Sequence, residues 1–148
     1  MATFGAIWTA CSPDLGHKAA LDRLKPLDPR ILLASDRYVY GGKDFDRRSE
    51  IRAIQRALPS LAATIVVPYS EDRKLDLDPG WIARDELSPV LSSADLEFAH
   101  LPFDHPIYVL FSSGTTGPPK CIVHSAGGVL LHHRKDPVSY TPLPLPTN

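Results

Sequence analysis

Charge of one sign is what this chain lacks most plainly. Its 16 Lys+Arg stand against 17 Asp+Glu, a formal net charge of −1, with the signs mixed throughout. Nucleic-acid binding and attraction to anionic membranes are therefore not expected. Cysteine is nearly absent too. Cys11 and Cys121 lie far apart and outline no disulfide framework, so reduced thiols in a cytoplasmic protein are expected. Cys11 with His17 lacks the further donors that a metal site needs. No apolar run approaches the ~18 residues of a membrane-spanning helix. Met1 to Cys11 is apolar and ends Trp8-Thr9-Ala10-Cys11, faintly in the manner of a lipoprotein signal. No basic residue precedes it, and a core of roughly ten residues sits at the bottom of the secretory range, so the export reading fails.

Proline, by contrast, is plentiful. There are 15, with Pro137, Pro142, Pro144 and Pro146 crowded near the end, and Val138 to Asn148 carries no charge and no regular period. A Pro-rich, disordered or extended tail is expected over 136–148, after one folded region at 1–135. The 43% hydrophobic content suffices for a core.

The apolar periodicity of 1–135 predicts an α/β fold. Ile7-Trp8-Thr9-Ala10, Ile31-Leu32-Leu33-Ala34 and Thr64-Ile65-Val66-Val67 read as strands, the last two buried on both faces. Ser12-Pro13 has the chemistry of a helix start, and Pro26 stops that helix. Phe45 to Leu58 has helical spacing and ends at Pro59. Together these give strand–helix–strand–helix–strand, the pattern of a partial parallel sheet with crossover helices. Arg37 to Tyr40 reads as a small strand turning at Gly41-Gly42, and Glu71 to Pro79 as a surface loop. Trp81–Leu87 and Asp95–Phe103 suggest a short helix and connecting loops.

The chemistry concentrates in Phe111-Ser112-Ser113-Gly114-Thr115-Thr116-Gly117-Pro118-Pro119-Lys120, after the strand-like Ile107-Tyr108-Val109-Leu110. Ten positions hold four hydroxyls, two glycines and a closing lysine. Glycine lets the backbone approach a ligand closely. Hydroxyls and exposed amides donate to phosphate oxygens, and an ammonium supplies the opposite charge. Such a loop suits a nucleotide polyphosphate. It is not a Walker A motif, because no Ser or Thr follows the lysine and the next residues, Cys121-Ile122-Val123-His124, are β-prone. A helix begins only at Ser125, with Ser as its N-cap, so the loop is expected to join two strands as a glycine-rich β-hairpin.

Tyr108 through Lys120 resembles the signature loop of the AMP-forming acyl-adenylate superfamily, which follows a strand and reads Ser/Thr-Ser-Gly-Ser/Thr-Thr-Gly-x-Pro-Lys. Gly5-Ala6-Ile7-Trp8, Cys11-Ser12-Pro13-Asp14, Tyr40-Gly41-Gly42-Lys43, Leu101-Pro102-Phe103-Asp104-His105-Pro106 and Lys120 through Gly128 are similar to the acetoacetyl-CoA synthetase branch. The resemblance implies that Ser112, Ser113, Gly114, Thr115, Thr116 and Gly117 surround the β- and γ-phosphates of ATP and that Lys120 closes the motif. Cys121 replaces the glycine that many members carry after this lysine. It implies ATP with Mg²⁺, CoA and acetoacetate or another short acid as the small molecules handled. The motifs that meet adenine, ribose and Mg²⁺, and the C-terminal subdomain with its catalytic lysine, find no counterpart. The resemblance thus implies a fragment of the N-terminal domain with no catalytic residue or metal ligand of its own, inactive alone.

Plainer readings stand beside these. Gly114 and Gly117 would also serve a tight turn, and Lys120 a solvated surface. Cys121 and His124, three apart on a strand, point to opposite faces and make no nucleophile–base pair. Trp8 and Trp81 read as core, and His132-His133 as solvent-facing. A shortened, non-catalytic nucleotide-binding or interaction module is the alternative to a ligase fragment.

Overall fold

The computed structural model describes residues 4–70, 77–87, 97–112 and 117–139. The chain divides into two compact units, one of Met1–Ala10, Leu96–Ser113 and Lys120–Asn148, the other of Cys11–Asp95 and Gly114–Pro119.

In the second unit, β2 (Ile31–Ser35), β5 (Ala63–Val67) and β6 (Trp81–Ala83) form a parallel sheet with β5 in the middle. The crossover from β2 to β5 carries a hairpin, β3 (Arg37–Tyr40) with β4 (Lys43–Asp46), and then helix α2 (Arg48–Ala57). Helix α1 (His17–Leu24) precedes β2. Register puts Leu32, Ala34, Thr64, Val66 and Trp81 on one face of the sheet. That face receives Ile51 of α2, and Ile54 and Leu58 pack with Ala20, Leu21 and Leu24 of α1. One helix therefore serves two apolar clusters, one turn apart. Ile31 and Leu33, on the opposite face of the sheet, are exposed. The expected two-sided burial of β2 is thus corrected: its continuous apolar run hides a strand covered on one side.

The hairpin is fixed by Asp36, whose buried carboxylate accepts from Arg37 Nε (3.0 Å) and from the Tyr69 amide (2.9 Å). Tyr38 stacks on its register partner Phe45, with centroids 5.0 Å apart. The Gly41-Gly42 turn holds both glycines at positive φ, as the sequence suggested.

Several boundaries differ from expectation. Ser12-Pro13 opens a single turn, closed by Leu15 N–H donating to the Ser12 carbonyl (3.1 Å), and α1 begins at His17 after the extended Gly16. Glycine in a helix interior costs about 1 kcal/mol, so the first turn does not propagate through it. Phe45 belongs to β4, and α2 starts three residues later, where the Asp46 carboxylate accepts the Arg48 amide (2.9 Å). Trp81–Leu87 is a short strand followed by a 3-10 turn, Arg84–Leu87, in place of a helix. No regular element occupies 97–103. The loop expected from Glu71 lies outside the described residues as far as 76; of the tail expected over 136–148, residues 136–139 continue the last helix and the remainder lies outside the described residues.

The single-sheet expectation is also corrected, because β1 (Trp8–Thr9) does not join β2. It pairs in parallel with β7 (Pro106–Ser112), and Thr9 Oγ1 donates to the Val109 carbonyl (2.8 Å). Strand β8 (Lys120–Ser125) runs antiparallel on the other side of β7, and helix α3 (Ala126–Ser139) follows.

Two outcomes test this packing. The Thr64 hydroxyl is buried in the apolar face and has no hydrogen-bond partner among the described residues. Thr64→Val is expected to stabilise the second unit by about 1 kcal/mol, measured by denaturant unfolding, because it removes a desolvated polar atom at nearly constant shape. Asp78 receives a bidentate pair from Arg52, which also lies 6.0 Å from the Trp81 ring, and this guanidinium holds the Asp78 carboxyl below its ordinary range. A depressed carboxyl stabilises the fold above its unfolded value of about 3.9 and loses that contribution as pH falls through the folded value. Trp81 emission, followed during acid titration in a Trp8→Phe background, should show this loss, and Asp78→Asn should flatten that part of the curve.

Candidate phosphate-binding hairpin

β7 is the central strand of its sheet, and its Val109 is buried. Along the β7–β8 ladder Tyr108 faces His124, Leu110 faces Ile122, and Ser112 faces Lys120. The last pair is the final rung of the hairpin, and of the residues between its two strands 117–119 are described. This confirms that the lysine is followed by a strand. Of the candidate residues, Ser112 is half-buried at the strand end, and Gly117 and Lys120 are exposed. A side chain at Gly117 would meet nothing within 4 Å. Ser113, Gly114, Thr115 and Thr116 lie outside the described residues.

The helix after the hairpin is not the anion grip. Its amides are already committed: Ala126 N–H donates to the His105 carbonyl (2.7 Å), Gly127 N–H to the Phe103 carbonyl (2.9 Å), and Gly128 N–H to Ser125 Oγ (3.2 Å). Ser125 is thus the N-cap the sequence indicated. Six residues of β8 span about 17 Å, which also removes the helix terminus from Lys120. Any hold on phosphate at this end of the sheet must come from the loop's own hydroxyls and amides and the lysine.

A supporting cluster behind the hairpin escaped the sequence reading. His105 Nε2 lies 2.8 Å from the Gly5 carbonyl oxygen, at hydrogen-bonding distance. Gly5 has φ +74°, and an added methyl there would lie 2.8 Å from Leu101 Cδ2. A methyl at Gly127 would meet the Phe103 ring at 2.1 Å. Three separate stretches, 5–8, 101–106 and 125–128, therefore lock together at the far end of β7 from the loop. Their spacing in sequence carries no sign of that; only the distribution of the resembling stretches marked them.

The thiol readings fare simply. Cys11 packs against the Ala20–Leu24–Leu58 cluster, and burial raises its pKa. Cys121 is exposed, and His132 and His133 face solvent. Trp81 is core, with Nε1 donating to Gln55 Oε1 (2.9 Å), whereas Trp8 is half-buried. Among the described residues no three His, Cys, Asp or Glu side chains come together as a metal site, and no helix is long and apolar enough to cross a membrane.

The family model described as AMP-binding enzyme matches residues 1–142. The chain belongs to the AMP-binding enzyme family. It is 46% identical over 138 residues to an acetoacetyl-coenzyme A synthetase of Rhizobium meliloti, covering 91% of this chain and 21% of the relative. It is 42% identical to a malonamoyl-CoA synthetase of Penicillium aethiopicum, covering 91% and 20%. The solved acetoacetyl-CoA synthetase of Streptomyces lividans superimposes with a TM-score of 0.83 at 41% identity, again over 91% of this chain and 20% of that one. The chain thus spans about a fifth of the length of these relatives.

Gly5→Ala tests the support. It forces a side chain into the left-handed region and against Leu101, at an expected cost of about 1–3 kcal/mol. Amide exchange at Trp8 and Thr9 should quicken roughly 5- to 150-fold. Gly16→Ala, at φ −61° with open space around it, should leave those amides unchanged.

Proposed function

We propose that the Ser112–Lys120 hairpin binds the β- and γ-phosphates of ATP in the acyl-adenylating step of an acetoacetate–CoA ligase, in the cytoplasm, and that the chain by itself does not catalyse. The observation that carries this reading is the direct pairing of Ser112 with Lys120. It fixes an ammonium and a hydroxyl at the mouth of a loop of glycines and hydroxyls, on the central strand of a sheet.

In the reaction proposed, a carboxylate oxygen of acetoacetate attacks the α-phosphorus of ATP, and pyrophosphate leaves from the opposite side. The CoA sulfur then attacks the acyl carbon of the adenylate, its proton is lost, and AMP departs. Acetoacetate is assigned because the Rhizobium and Streptomyces relatives carry that name. Lys120 and the loop hydroxyls would act on the first step by neutralising charge that collects on the leaving pyrophosphate. This is positional and electrostatic assistance with no protein nucleophile. The described residues of the hairpin include no carboxylate, so they do not fit a Mg²⁺ site.

Titration with fluorescent ATP tests the grip. Lys120→Ala should weaken binding at least tenfold, about 1.4 kcal/mol, with unchanged far-UV circular dichroism, since Lys120 is exposed. Equal affinity of the two proteins would overturn the reading. Acetoacetate-dependent ATP–pyrophosphate exchange should be undetectable with this chain alone.

A further inference from the structure

We draw no further inference here: the strongest candidate, the open cavity of about 340 Å³ at the first turn of α2 lined by Asp46, Arg48, Ser49 and Arg52, carries no proposal because the Asp46 and Asp78 carboxylates already hold both guanidiniums and nothing in the structure points to a ligand there.

Discussion

A loop that is to grip a flexible polyphosphate must have its ends held, because the entropy of closing it would otherwise consume the binding energy. In this chain the closure is made by the β7–β8 ladder, whose final rung places Ser112 across from Lys120. Everything else in the first unit keeps that ladder in place. β1 pairs along the opposite side of β7, and the Thr9 hydroxyl adds a bond to the Val109 carbonyl. At the far end, the Gly5, His105 and Gly127 contacts tie the start of β7 to the start of α3. The Ser112–Lys120 rung is thus carried by a strand paired along both edges and tied at its root, the preorganisation that the proposed electrostatic grip would require.

The same arrangement explains why the site differs from a Walker A loop in kind. There the helix that follows the lysine offers free amides and the positive end of its dipole to the anion. Here the lysine is itself the first residue of a six-residue strand, and the first amides of α3 are spent on Phe103, His105 and Ser125. On the reading proposed above, the positive charge at the loop would rest largely on the ammonium of Lys120, and because Lys120 is exposed such a site would be more sensitive to salt than a helix-backed one.

Much of this was legible in the sequence because it is local. The glycine and hydroxyl content of the loop, the β-prone run after Lys120, the cap at Ser125 and the turn at Gly41-Gly42 each involve residues within a few positions of one another. The pairings were not legible. β1 reads like a strand of the β2–β5 sheet, and nothing in Ile7, Trp8 and Ala10 names a partner one hundred positions away. Likewise the apolar run of β2 looks buried on both faces, although Ile31 and Leu33 are exposed. Composition reports that a residue prefers burial; whether a covering element exists is a tertiary fact. The boundary errors have the same origin: Phe45 has helical spacing, but its stack on Tyr38 claims it for the hairpin.

That distinction bears on how the two units compare. In the second unit α2 satisfies one sheet face and one helix with successive turns of its own surface, so Ile51, Val66 and Trp81 are buried by elements the chain itself supplies. In the first unit Leu110, Ile122, Val123, Leu130 and Leu131 remain outward. A sequence selected to be soluble by itself would place polar residues at such positions, as exposed faces of antiparallel sheets ordinarily do. The second unit shows the same effect on its far face, where Ile31 and Leu33 of β2 lie exposed opposite the covered Leu32 and Ala34 side, so burial there too is decided by which elements reach a face and not by the apolar content of a strand.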